Sequence, residues 1–136
     1  MKYNILMALM QLDIGGAETH VVELSKELKR RGHNIIIVSR GGAFESELLE
    51  AGIKHIKLPL HSKKLSDIKK SKKELEKIIT EEKIDIVHSH TRIASFILGK
   101  LHKKMNFNFV TTAHWVFSTR FGLKYLTDWG EKTIAV

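Results

Sequence analysis

Apolar runs of strand length alternate with amphipathic runs of helix length along the whole chain. Ile5 to Met10 is the first apolar run. It feeds Gly15-Gly16 and then a segment to Arg31 in which Ala17, Val21, Leu24 and Leu28 recur on one helical face, with Gly32 as the stop. Asn34 to Ser39 reads as a second strand whose Ile35-Ile36-Ile37-Val38 core is apolar on both faces, the mark of a strand covered from two sides. A short helix over Ser46 to Ala51 closes at Gly52, and a third strand over Ile53 to Leu58 closes at the only proline, Pro59. Leu65, Ile68, Leu75, Ile78 and Ile79 mark a long helix, Ile84 to His88 a fourth strand, and Ile93 to Lys104 a helix with Ala94, Ile97, Leu98 and Leu101 inward. Phe107 to Thr112 is a fifth strand, and Thr133 to Val136 looks like a sixth, cut at its carboxyl end.

Strands alternating with helices at these spacings predict an α/β fold, a parallel, doubly wound sheet with right-handed crossovers and helices on both faces. Ligands of such sheets bind outside the carboxyl ends of the strands, near the point where the strand order reverses. The candidate positions are therefore Asp13 to Glu18 after strand one, Ser39 to Gly42 after strand two, His88 to Arg92 after strand four and Ala113 to Trp115 after strand five.

Composition narrows the picture without choosing a function. With 136 residues, 43% of them hydrophobic, the chain fits one domain with one core. The absence of cysteine removes disulfides, cysteine zinc sites and a cysteine nucleophile, and fits a reducing cytoplasm. Lys2 followed by Ile5 to Met10 imitates a signal peptide, but the apolar core is short and leads into Asp13 and Glu18, so it reads as a buried strand. No run approaches the roughly 20 apolar residues that span a bilayer.

A net charge of +8 favours anionic partners. The excess is dense at Lys63, Lys64, Lys69, Lys70, Lys72, Lys73 and Lys77, on the long helix and just before it. A solvated outer face is the plain reading of such a run. An anionic lipid surface is the sharper one, and nucleic acid is disfavoured because no aromatic residues interleave to stack bases.

The loop Gly15-Gly16-Ala17-Glu18 joins a strand to a helix start, where bare backbone and unpaired N–H groups can receive an anion. It lacks the G-x-G-x-x-G spacing of dinucleotide sites, and no P-loop is present. A tight turn without a ligand is the alternative, with Glu18 serving only the helix dipole. His88 and His90 flank Ser89, so both rings point the same way while the chain is extended. Two histidines without a third ligand make a poor metal site. Arg92 suits an oxyanion or stays in solvent. His114, before Trp115 at the tip of strand five, can exchange protons near neutral pH or simply pack against Trp115. No G-x-S-x-G elbow supports an acyl hydrolase.

These pieces resemble retaining glycosyltransferases of the GT-B fold, of the glycosyltransferase family 4 type. The resemblance rests on Gly15-Gly16-Ala17-Glu18 with Thr19 to Leu24, Leu28 and Arg31-Gly32-His33; on Leu49-Glu50-Ala51-Gly52-Ile53; on Ile84-Asp85-Ile86-Val87-His88-Ser89-His90; on Val110 to His114; and on Thr133 to Val136. Five such pieces in the right order cover nearly the whole chain. The resemblance implies that residues 1–136 form the N-terminal, Rossmann-like, acceptor-side half of a two-domain enzyme. The domain that grips the nucleotide sugar, with its E-x7-E glutamates, would lie beyond Val136. It implies transfer of a sugar from a donor such as a UDP- or GDP-sugar to a hydroxyl of a glycan or lipid-linked acceptor, as in cell-envelope polysaccharide synthesis, without metal or other cofactor. Gly15 and Gly16 would then meet donor or acceptor phosphate, and His114 would be the catalytic histidine near the reacting sugar. Glu18, His88, His90, Arg92 and Trp115 would contact substrate. The enzyme would work in the cytoplasm, resting on the inner face of the plasma membrane. Two rivals stay open on the residues alone: a stand-alone binding module for an anionic surface or phosphorylated ligand, and an unrelated α/β enzyme holding a metal with His88, His90 and His114.

Overall fold

The structure, a computed structural model, describes residues 2–13, 15–113 and 132–135. Ten elements alternate as the pattern requires: β1 Asn4–Ala8, α1 Gly16–Arg30, β2 Asn34–Ser39, α2 Glu45–Glu50, β3 Lys54–Lys57, α3 Leu65–Glu81, β4 Ile86–Ser89, α4 Arg92–His102, β5 Asn108–Ala113 and β6 Lys132–Ala135. The strands form one six-stranded parallel sheet in the order β3-β2-β1-β4-β5-β6. The order reverses between β1 and β4, where Ile5 pairs Ile86 and Ala8 pairs Ser89.

Alternating strand residues feed two cores, because successive side chains point to opposite faces. Leu6, Ala8, Ile36, Val38, Val87 and Phe109 pack with Leu75, Ile78 and Ile79 of α3 and Ala94, Ile97, Leu98 and Leu101 of α4. Ile5, Met7, Ile35 and Ile37 pack with Val21 and Val22 of α1, Leu48 of α2 and Ile53. Each fully buried aliphatic side chain removes enough apolar surface from water for about 1.5–3 kcal/mol. Two such layers hold the sheet from both sides.

The helix stops are chemically explicit. Gly32, at φ 98°, turns the chain out of α1: its N–H donates to Lys29 O at 2.9 Å, and His33 N–H donates to Leu28 O at 3.1 Å. Gly52 ends α2 in the same way, with bonds to Leu49 O and from Ile53 to Leu48 O. At the end of α3, Lys83 takes the left-handed position at φ 51° without being glycine, and Ile84 N–H donates back to Ile79 O at 3.1 Å.

That turn explains one of the boundary shifts. Ile84 closes α3 and Asp85 already bonds across to Asn4 and Asn108, and β4 itself starts at Ile86 rather than Ile84 and runs to Ser89. Leu65 is the second difference: placed by spacing on the apolar stripe of α3, it is the first residue of the helix and 67% exposed, and the stripe begins at Ile68. Among the described residues no helix is long and apolar enough to cross a membrane.

Candidate active site

The loops at the carboxyl ends of β1 and β4 flank the reversal point of the sheet, and the candidates there can be built up from the backbone. Beyond the end of β1 the chain stays tied to the chain leaving β2. Leu9 N–H donates to Val38 O at 3.1 Å, Arg40 N–H to Met10 O at 3.0 Å, Leu12 N–H to Gly41 O at 3.0 Å and Phe44 N–H to Leu12 O at 2.9 Å. The Arg40 guanidinium reaches across to Gln11 Oε1 at 2.6 Å and Asp13 Oδ2 at 3.2 Å. Gly42, at φ 156°, lies so close that a Cβ on it would stand 2.5 Å from the Leu12 carbonyl carbon.

The far side of the 40–44 loop is fastened by β3 and α2. Glu45 Oε2 accepts the Gly42 N–H at 2.9 Å, and Ser39 Oγ accepts the Gly41 N–H at 3.0 Å. Ser39 Oγ also lies 2.7 Å from His55 Nε2, and Glu45 Oε1 is 3.6 Å from both His55 Nδ1 and Lys57 Nζ. A ring protonated on Nδ1, toward Glu45, accepts the Ser39 hydroxyl at Nε2 and leaves the serine oxygen to take Gly41. Burial pushes His55 below its ordinary pKa, with Glu45 opposing and Lys57 assisting. The Gly42 N–H, more than the nearby cations, holds the Glu45 carboxyl below the usual range.

The clamped segment leads into Gly15 and Gly16. Gly15 is the N-cap of α1, in extended backbone that any residue adopts, and makes no side-chain cap bond. Thr19 N–H donates to Gly15 O at 3.0 Å, so the first helical turn is formed while its leading N–H groups have no intrahelical partner. Among the described residues a Cβ on Gly16 would meet nothing within 4 Å, whereas the Glu18 carboxylate lies against Gly15. The helix end is therefore open above Gly16 and screened by Glu18 beside Gly15.

His88 and His90 are brought together at the carboxyl end of β4, with His20 of α1 against His90. Their ring centroids are 4.0 Å apart, and the residues are 7% and 1% exposed. His88 Nε2 lies 2.5 Å from Thr112 Oγ1 on β5, and His90 Nε2 lies 3.4 Å from Met7 Sδ on β1. His90 N–H donates to Ala8 O at 2.9 Å, and the His20 ring of α1 meets the His90 ring edge-on at 6.1 Å. Arg92 is exposed in the first turn of α4. Thr91 stands at the N-cap of that helix, and among the described residues its buried Oγ1 has no hydrogen-bond partner. His114 and Trp115 lie outside the described residues. Among the described residues no three His, Cys, Asp or Glu side chains gather to hold a metal ion.

Residue spacing alone did not mark His20, Thr112, His55 or Glu45, because each joins the site through a different element. A polar groove of about 460 Å³ lies at the opposite, amino-terminal edge, lined by Asn4, Asn34, Lys54 and Lys83 among others. Sheets of this kind do not receive their ligands at that edge.

This reversal-point geometry on a 3-2-1-4-5-6 sheet is that of a Rossmann-like α/β domain, the kind found in GT-B glycosyltransferases. The sequence signature of Glycosyltransferase Family 4 matches residues 14–135, and the chain belongs to that family. It is 31% identical over 113 residues to a subunit of human phosphatidylinositol N-acetylglucosaminyltransferase, covering 77% of this chain and 23% of that protein. A glycosyltransferase from Rickettsia africae ESF-5 superposes with a TM-score of 0.79 at 32% identity, over 91% of this chain and 33% of that one. HepE from Anabaena, solved with UDP, shares the fold at a TM-score of 0.63 and 16% identity, over 90% of this chain and 32% of its own. The chain thus spans about a quarter to a third of the relatives it matches.

Proposed function

We propose that this chain is the acceptor-side half of a retaining glycosyltransferase that moves a hexosyl unit from a nucleoside diphosphate sugar to a hydroxyl of a glycan or lipid-linked acceptor. The observation that carries the proposal is the N-terminus of α1 at Gly16, open among the described residues, and the His88–His90 pair that His20 of the same helix contacts, at the reversal point of a family 4 sheet. UDP in the HepE structure supports a nucleotide donor, and the phosphatidylinositol in the human relative's name supports a lipid-linked acceptor. Family membership ranks this reading above a stand-alone binding module.

In the reaction, the bond between the sugar's anomeric carbon and the diphosphate breaks, and a bond to the acceptor oxygen forms on the same face. The acceptor proton passes to the departing diphosphate oxygen. The protein's share is positioning and stabilisation of charge. The N–H groups at Gly15 and Gly16 meet phosphate, and Glu18 and Arg92 contact substrate beside them. His88 and His90 support the acceptor side, while His114 donates a hydrogen bond near the transferring sugar and Trp115 covers it. No resident metal is assigned to this site.

Residues 1–136 alone are expected to transfer no sugar, since the donor-gripping half is a separate domain. In the two-domain enzyme His114→Ala is expected to lower turnover about tenfold or more. Transfer by the isolated chain, or unchanged turnover in His114→Ala, would refute the respective assignment.

A further inference from the structure

Gly41 and Gly42 follow β2 at the rim of the site, yet neither N–H is left to receive an anion. Gly41 N–H donates to Ser39 Oγ at 3.0 Å, and Gly42 N–H donates to Glu45 Oε2 at 2.9 Å. Both acceptors meet on one ring. His55 Nε2 lies 2.7 Å from Ser39 Oγ, and His55 Nδ1 lies 3.6 Å from Glu45 Oε1. The loop is thus held by an imidazole on β3, a strand separated from β1 by β2.

The hold passes to the site through the backbone. Leu12 N–H donates to Gly41 O at 3.0 Å and Phe44 N–H donates to Leu12 O at 2.9 Å, so both polar backbone groups of Leu12 are taken by the loop. Gly15, the N-cap of α1, stands three residues after Leu12.

Ser39 is 0% exposed, which makes the protonation state of the ring decisive. With its proton on Nδ1, toward Glu45, the ring accepts the Ser39 hydroxyl at Nε2, and the serine oxygen is free to accept Gly41. A second proton makes both ring nitrogens donors. The buried hydroxyl hydrogen then loses its acceptor, and Gly41 N–H must share Ser39 Oγ with the ring. Among the described residues the charged groups that face the ring are Glu45 from α2 and Lys57 from its own strand, and their effects on it oppose one another.

We infer that His55 is a positioning residue for the candidate site: through Ser39 and Gly41 it holds the segment that leads to Gly15 and Gly16 in its receiving position only while its ring is uncharged. His55 acts through the loop rather than on the substrate. The effect on sugar transfer rests on the function proposed above, whereas the hold of His55 on the loop does not.

Amide NMR spectra of the 136-residue chain, taken from about pH 7.5 to about 5.5, are expected to show the Gly41, Leu12 and Gly16 signals moving with the titration of the His55 ring. In His55→Gln the side-chain carbonyl can still accept the Ser39 hydroxyl but does not titrate, so that component should vanish from all three signals. Ser39→Ala breaks the same link from the other side: the ring should still titrate and Gly41 should no longer follow it. In the proposed two-domain enzyme, assayed well below its unfolding temperature, wild-type kcat/KM should fall about threefold or more relative to His55→Gln over the same pH range. A residue that served stability alone would leave that ratio unchanged. Gly41 and Gly16 signals that ignore the ring, or kcat/KM profiles that run parallel in wild type and His55→Gln, would each overturn the inference. Absence of any sugar transfer would strike the proposed function alone, and the amide signals would then decide whether His55 holds the loop.

Discussion

Gly42 stands against Leu12 so closely that a Cβ on it would meet the Leu12 carbonyl carbon at 2.5 Å and the Asp13 nitrogen at 2.6 Å. The contact is backbone against backbone, so no side-chain rotation relieves it. With its left-handed φ of 156°, Gly42 fixes the path of the segment that delivers Gly15 and Gly16 to the start of α1. Gly42→Ala is expected to destabilise the fold by about 1–3 kcal/mol. Gly16→Ala, helical and facing open space, should be neutral or stabilise by about 0.5–1 kcal/mol. Urea unfolding of the two variants checks the contrast, and a Gly42→Ala midpoint equal to wild type would contradict it.

Lys83 takes the place of a helix-stop glycine at a cost in backbone strain. A non-glycine residue in the left-handed region costs about 1–2 kcal/mol, part of which glycine returns through the greater freedom of the unfolded chain. Lys83→Gly is therefore expected to raise stability by about 0.5–1 kcal/mol. The thermal midpoint reads this directly, and a fall would show that the lysine side chain supplies more than the turn.

His55 makes the loop after β2 sensitive to acid. Its pKa is lowered in the fold, chiefly by burial, so between the folded value and the ordinary value near 6.5 the unfolded chain binds more protons than the native one. The stabilising contribution is thus complete above about 6.5 and is lost as pH falls below it. A protonated ring would also turn Nε2 into a donor and set it against the Ser39 hydroxyl hydrogen. Unfolding midpoints taken from about pH 7.5 down to about 5.5 should fall more steeply in the wild type than in His55→Gln. Parallel slopes would remove His55 from the account.

Much of the fold was legible because its signals are local. Ile35 to Val38 could be placed inside a two-faced sheet from composition alone, and Gly32 and Gly52 stop α1 and α2 through the turn that only their backbone freedom makes easy. The end of α3 carried no such signal. Lys83 occupies the same left-handed position, which is why Ile84 looked like strand and proved to be part of the turn. Leu65 misled for a related reason, since periodicity cannot tell the first residue of a helix from one a turn inside it.

The site was legible only in part. Gly15-Gly16 and the His88-Ser89-His90 alternation are short-range patterns, and the structure sets both at the reversal point between β1 and β4. The Ser39–His55–Glu45 group joins β2, β3 and α2, and no spacing rule links residues 16 apart on separate elements. Gly41-Gly42 reads as a turn in any sequence. Only the approach of Leu12 and Asp13 shows that the second glycine is a contact as well.

The central claim is that the open N-terminus of α1 at Gly16 receives the phosphate or acceptor of a sugar-transfer reaction. The direct measurement is turnover of the proposed two-domain transferase with Gly16→Val, read beside its unfolding midpoint. The claim predicts a loss of about tenfold or more in sugar transfer at an unchanged midpoint, because the branched side chain fills the space left for the ligand without touching the core. Wild-type turnover in a Gly16→Val enzyme would contradict the claim and reduce the glycine to a simple helix start.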